Sequence, residues 1–231
     1  MRQRNVKNKE EILRRCTRWI VWDPAAEKGS WAARFSRPGR IFLEIGSGKG
    51  QFITSLSLAH PERNYVAVEG GENILVRMAE KAEAAALDNL LIIAAYVDDP
   101  CDWFAKGEIS GIYLNFCDPW PKSRHAKRRL THRSRLDRYC RITDREAELV
   151  LKTDNRPLFD FSLKEFEAAG LHVLDHTVNL YGSNRICSDP VTEYEDQFAK
   201  EGKPICYARV ALHGHDMEEN GKGNDGRRGN P

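Results

Sequence analysis

The chain has 231 residues, 41% hydrophobic and 30% charged, with a formal net charge of +2, a balance suited to a soluble globular fold with a substantial core. Mean hydropathy is −0.60, and no apolar run approaches the roughly 18 residues of a membrane-spanning helix. The first residues lack the apolar core of a signal peptide, and the six cysteines (16, 101, 117, 140, 187 and 206) form no CxxC pair, so a cytoplasmic protein with no metal and no membrane attachment is expected.

A basic arm over residues 1–38 precedes a Pro/Gly break at Pro38-Gly39, after which apolar runs suited to strands occur at 41–45, 64–69, 90–96 and 111–116. Between them, 51–60 and the Ala/Glu/Lys-rich 72–87 have helical spacing. A basic segment turns helical near 132–143; 148–154 reads as a fifth strand, 158–170 as a helix closed by Gly170, and 171–178 and 205–212 as late strands joined in sequence. This alternation predicts a mostly parallel sheet with helices on both faces and an antiparallel strand at its end, within a domain spanning 39–212. Residues 213–231, rich in Gly, Asn and charge, are expected to be a disordered tail.

Charge is unevenly spread: residues 122–145 carry +8 and residues 1–18 carry +5, which leaves −11 on the rest. Two basic stretches on an acidic body suit a phosphate backbone, although solvated helix faces give the same pattern.

Glu44-Ile-Gly-Ser-Gly-Lys-Gly50 follows the first of these strands and opens a helix. A phosphate-binding P-loop fails because Gly50, rather than Ser or Thr, follows Lys49. A dinucleotide loop would place its third glycine one residue later, and Glu44 would repel phosphates there. An acid two residues before Gly46 suits a cationic ligand such as S-adenosyl-L-methionine, and Glu69 at the end of the next strand can accept ribose hydroxyls of either adenosine cofactor. The loop alone leaves a methyltransferase, a nicotinamide enzyme and a purely structural turn open.

The run Asn115-Phe-Cys-Asp-Pro-Trp-Pro-Lys-Ser-Arg-His-Ala-Lys-Arg-Arg-Leu130 closes the fourth strand and strongly resembles the hallmark of the tRNA guanine-N7 methyltransferase family. Residues 44–53, Lys152-Thr-Asp-Asn155, Leu158 to Leu163 and Thr192-Glu-Tyr-Glu195 agree as well, so the resemblance covers roughly residues 1–212. It implies a Rossmann-like class I methyltransferase with a seven-stranded sheet, taking S-adenosyl-L-methionine as cofactor and methylating the variable-loop guanine, position 46, of tRNA. A monomer or homodimer with no obligatory protein partner is expected.

Carried over residue by residue, the resemblance implies that Glu44, Gly46, Gly48, Glu69, Tyr96 and Asp118 hold the cofactor and that Asp118 is catalytic. Lys122, Asp154, Thr192, Glu193, Tyr194 and Glu195 would hold the substrate, while Arg124, His125, Ala126, Lys127, Arg128 and Arg129 would touch RNA. One departure stands out: Tyr96 occupies a site where the family usually has Asp, so the adenine contact passes to Asp98, Asp99 or a backbone carbonyl.

Other readings attach to single residues. Cys117 beside Asp118 could be the nucleophile of a pyrimidine C5 methyltransferase, but its Pro-Cys context is missing. His172 and His176 share one face of a strand, His213 and His215 fall in the tail, and no metal is expected at either pair. Trp19, Trp22 and Trp31 are expected to pack the arm. Asp154 could cap the following helix as well as bind substrate.

Overall fold

The computed structural model describes residues 6–182 and 190–213. The expected tail from 214 onward, His215 and Cys187 therefore lie outside the described residues.

Eight strands, β1 Ile20–Val21, β2 Ile41–Ile45, β3 Asn64–Val68, β4 Leu90–Ile93, β5 Ile109–Asn115, β6 Thr143–Thr153, β7 His172–Thr177 and β8 Cys206–Ala211, form one sheet in the order β1-β4-β3-β2-β5-β6-β8-β7. The pairs from β1 through to β6 are parallel, and β8 is antiparallel to both β6 and β7. Strands β2 to β8 are the seven expected. The eighth comes from the arm, whose Ile20 and Val21 pair with Ile92 and Ile93 and extend the β4 side of the sheet.

The helices are α1 Lys9–Arg15, α2 Gln51–Ala59, α3 Glu72–Ala84, α4 Arg133–Ile142, α5 Arg156–Ala168 and α6 Glu193–Lys200. In α3 the side chains of Leu75, Val76, Met78, Ala79 and Ala82 recur at helical spacing and are buried against β3 and β4 together with α2 and α1. The other sheet face buries Leu136, Tyr139 and Ile142 of α4 with Phe159 and Phe166 of α5. Strand β5 is buried along all seven residues, as a central strand covered on both faces must be.

The arm packs from one face round to the other. Ile12, Cys16, Trp19 and Ile20 join the α3 face, and Trp31 joins the opposite one, stacked on Phe104 at 5.0 Å. Trp19 and Trp31 pack as expected, whereas Trp22 is exposed. Much of the arm's positive charge is used locally: Lys9 pairs with Glu72, Arg15 with Glu83 at 2.7 Å, and Arg18 lies over the Trp19 ring.

Three element boundaries differ from expectation for visible reasons. Strand β4 stops at Ile93 rather than 96, where its partner β3 ends at Val68. Strand β6 starts at Thr143 rather than 148, its first residue pairing with Ile109 ahead of a bulge. Helix α5 is capped by Asn155, whose side-chain oxygen accepts from Leu158 N at 2.8 Å, so Asp154 is not the cap. No described helix is long and apolar enough to cross a membrane.

Candidate active site

Strand β2 has β3 on one side and β5 on the other, so the chain order reverses between β2 and β5. A crevice opens at the carboxyl ends of strands flanking such a switch point. Glu44 and Ile45 end β2, Glu69 follows β3, residues 95–97 follow β4, and Phe116 to Trp120 follow β5. All of these except Pro119 line the crevice.

The glycine loop is shaped for a ligand at two positions and for packing at the third. Gly46 and Gly48 have φ of +81° and +56°, and a Cβ on either would meet nothing within 4 Å, so their open side faces the crevice. Gly50, at φ +75°, instead lies under α3, where a Cβ would come within 2.4 Å of Met78. The loop is tied to β3 by Gly46 N and Ser47 N donating to Val68 O at 2.9 and 3.1 Å.

Glu44 is 2% exposed, and its Oε1 accepts from Asn115 Nδ2 at 2.8 Å. Glu44 Oε2 and Asn115 Oδ1 are buried without a hydrogen-bond partner. Burial pushes the Glu44 carboxyl up to about 7 against the counteracting bond from Asn115. Two orphaned acceptors beside a cavity lined by Glu44, Gly46, Gly48 and Asn115 are free to accept hydrogen bonds from a donor, a cationic one included.

Glu69 accepts one backbone N–H on each oxygen, Gly48 N at 3.0 Å and Gly71 N at 2.7 Å. This fixes its plane while leaving a lone pair on each oxygen for a vicinal diol. Burial raises its pKa, and the charge of Asp118 adds to the rise. The adjoining cavity, about 540 Å3, runs from Glu69, Gly70 and Tyr96 to Asp118, Trp120 and Tyr194, within the range of roughly 300–1,000 Å3 usual for small-molecule sites.

Tyr96 lies at the rim, 79% exposed, with its ring against Gly70 so closely that a Cβ there would fall 2.4 Å from the ring. Of the substitutes for the missing carboxylate, Asp99 is already used: it accepts from Cys101 N at 2.9 Å and from Arg138 at 3.1 Å. The Asp98 carbonyl accepts from Arg135 and Arg138, and its side chain is exposed. Burial pushes the Cys117 thiol up to about 12, with the charges of Glu44 and Asp118 adding to the rise, so it is a poor nucleophile and the C5 reading loses its reactive group.

Asp118 is exposed at the mouth of the cavity between two strained positions. Phe116 and Trp120 have φ of +50° and +43°, a left-handed conformation unusual for bulky residues and typical of functional turns.

Residues 38–208 match a protein-family model described as "Putative methyltransferase". A tRNA (guanine-N(7)-)-methyltransferase of Lachnoclostridium phytofermentans is 42% identical over 205 residues, covering 89% of this chain and 95% of that protein. The chain belongs to the tRNA (guanine-N(7)-)-methyltransferase family. A second member, from Oceanobacillus iheyensis, is 39% identical over 92% of this chain and 99% of its own. Among solved structures, the 16S rRNA methyltransferase KamB is similar with a TM-score of 0.56 at 13% identity, covering 92% of this chain and 96% of that one, a likeness of fold. The fold is that of the Rossmann-like class I methyltransferases.

Within this family member, the residues expected to hold substrate separate into two groups. Thr192, Glu193 and Tyr194 line the Glu44 cavity, and the Tyr194 ring lies 5.9 Å from that of Phe116. Glu195 is buried and fully engaged: both oxygens accept from Lys152 Nζ at 3.2 and 3.1 Å, Tyr181 Oη donates to one, and Thr192 N to the other. Its position on α6, in a capping box with Thr192, makes it the anchor of that helix on β6. Glu193 bridges Lys49 at 2.8 Å and Lys81 at 3.1 Å, tying the same helix to the glycine loop and α3. Lys122 and Asp154 are exposed and line neither cavity.

The segment expected at RNA is a 3₁₀ turn, Ser123–Arg128, leading to α4. Lys122, Arg124 and Lys127 are exposed and form no ion pair among the described residues. His125 stands edge-on to Trp120 at 5.7 Å, Ala126 is half-buried, and the Arg128 guanidinium lies 4.9 Å over the Trp120 ring. Arg129 is turned inward. Asn115, Lys152 and Arg135 are parts of the site's framework that residue type and spacing alone do not reveal. Only their place within the quoted runs, or in the basic stretch, could have marked them.

Proposed function

We propose that this protein transfers a methyl group from S-adenosyl-L-methionine to N7 of the variable-loop guanine, position 46, of tRNA, forming 7-methylguanosine. The observation that carries the reading is the gathering of three carboxylates, Glu44, Glu69 and Asp118, on the crevice of a methyltransferase fold whose relatives are named tRNA (guanine-N(7)-)-methyltransferases.

The residues fit the cofactor: the unpartnered Glu44 oxygen suits an ammonium or sulfonium, and the two open lone pairs of Glu69 suit ribose hydroxyls. When bound, S-adenosyl-L-methionine supplies an electrophilic methyl group. Gly46 and Gly48 allow close backbone approach, and Tyr96 with Gly70 and Val97 forms the adenine-side wall.

Guanine N7 carries an in-plane lone pair and no proton, so the protein needs no general base and acts by positioning and by excluding water. The Asp118 carboxylate accepts from guanine N1–H and the 2-amino group, and its charge stabilises the cation that the purine becomes. Tyr194 and Trp120 flank the same mouth. Because N7 lies in the deep, narrow groove of A-form RNA, the base must be unpaired or splayed out, with the exposed cations at 122–128 gripping the tRNA body.

A transcript carrying 7-deazaguanosine at the target position tests the chemistry, since it lacks only the N7 lone pair. Loss of methyl transfer with unchanged tRNA binding is expected; methylation at another atom of that nucleotide would refute N7 as the acceptor.

A further inference from the structure

The geometry points to Arg129 as a positioning residue for Asp118 rather than a phosphate contact, an inference that rests on the functional reading above. Lys122, Arg124 and Lys127 in the basic run present their charges to solvent, but the Arg129 guanidinium turns back into the protein. Nε donates to Pro119 O and Nη2 to Trp120 O, each at 3.1 Å. The guanidinium lies 4.2 Å over the Phe161 ring of α5, so it is held on one side by an aromatic face and on its edge by two successive carbonyls.

The two carbonyls belong to the turn that presents Asp118. Trp120 holds φ +43°, a conformation that a bulky residue does not keep unaided, so something must hold the turn, and the bond to its carbonyl is a direct candidate. Asp118 itself is exposed, and no side-chain hydrogen bond among the described residues anchors its carboxylate. Its direction is therefore set by the backbone on either side. On the upstream side Phe116 N donates to Lys152 O at 2.8 Å, continuing the sheet; on the downstream side the contacts are those of Arg129.

Only a guanidinium can do this. Its planar fork places two N–H donors side by side and stacks on an aromatic ring, whereas the lysine ammonium is a point charge on a flexible stem. A residue that merely met a phosphate would tolerate lysine. Arg129→Lys therefore separates the two roles while conserving charge.

The experiment measures tRNA methylation by the full chain, wild type and Arg129→Lys, at saturating tRNA. It is combined with tRNA Kd across a salt series, S-adenosylhomocysteine affinity and Tm. The expected result is a fall in kcat of about ten- to a hundredfold, the scale on which a reacting group misplaced by about 1 Å loses rate. The tRNA Kd, its salt slope and S-adenosylhomocysteine affinity stay within about twofold of wild type.

Phe161→Leu removes the ring beneath the guanidinium without altering charge and should repeat the pattern at smaller amplitude; it decides the matter if Arg129→Lys does not fold. A kcat within twofold of wild type in both variants overturns the inference. So does a loss spread equally over Tm, kcat and both affinities, which would mark a structural role only. A wild-type protein that forms no 7-methylguanosine overturns the functional reading beneath it instead.

Discussion

Glu44 makes cofactor affinity depend on pH. In the free protein its carboxyl titrates near 7 because burial opposes the charged form. A folded-state pKa above the unfolded value of 4.5 means that the folded state binds the extra proton. This contribution to stability is therefore present below about 4.5 and is lost as pH rises through 7, a change of about 3 kcal/mol for the 2.5-unit difference. A cation beside the carboxylate reverses the balance by favouring the charged form, so binding expels the proton. Between pH 6 and 8 the affinity for S-adenosyl-L-methionine, which carries both the ammonium and the sulfonium, should rise roughly tenfold, with about one proton released per ligand bound near pH 6 and almost none at pH 8. Isothermal titration in buffers of different ionisation enthalpy reads the released proton directly, and Glu44→Gln should abolish the difference between the two pH values. A wild-type affinity that is flat across this range, or a proton release that survives in Glu44→Gln, would refute the placement of the cationic group at Glu44.

Four further outcomes follow from the same geometry. Asp118→Asn should lose at least a hundredfold in kcat while keeping Tm, as checked by single-turnover methylation and calorimetry. Lys152→Met strands the Glu195 carboxylate in the interior and should cost about 3–5 kcal/mol, or roughly 6–20 °C in Tm, with part of the loss recovered in Lys152→Met/Glu195→Gln. Gly50→Ala should destabilise by about 1–3 kcal/mol through contact with Met78 and its left-handed backbone, whereas Gly46→Ala, whose Cβ meets no neighbour, should cost only the left-handed strain of about 1–2 kcal/mol and weaken cofactor binding in a titration. Arg124→Gln/Lys127→Gln should flatten the salt dependence of tRNA binding, by about 0.7–0.9 in slope per lost phosphate contact, without changing S-adenosylhomocysteine affinity.

The parts of this architecture set by local pattern were legible in the sequence. The alternation of apolar strands with helices of 3.6 periodicity predicted the sheet and both its layers, because burial on two faces leaves β5 without a single charged residue. The glycine loop and the acids at 44, 69 and 118 were legible because chain order and strand ends bring them to one crevice. The two-residue β1 was not, since Ile20 and Val21 carry no periodicity and pair only because the arm's tryptophans and α1 dock nearby. Nor was the division of labour within charged runs. Lys152 and Glu195 meet across 43 positions to form a buried pair, and Arg129 differs from Arg124 in the direction its side chain takes, against Phe161 of α5. Charge composition records the number of cations, but tertiary packing decides which of them face solvent.

The most direct measurement of the central claim is transfer of radiolabelled methyl from S-adenosyl-L-methionine to unmodified tRNA transcripts, followed by nucleoside analysis. The account predicts 7-methylguanosine in the wild-type transcript and none when the variable-loop guanine is changed to adenine. Label that persists in the changed transcript, or that appears in any other nucleoside, would contradict it.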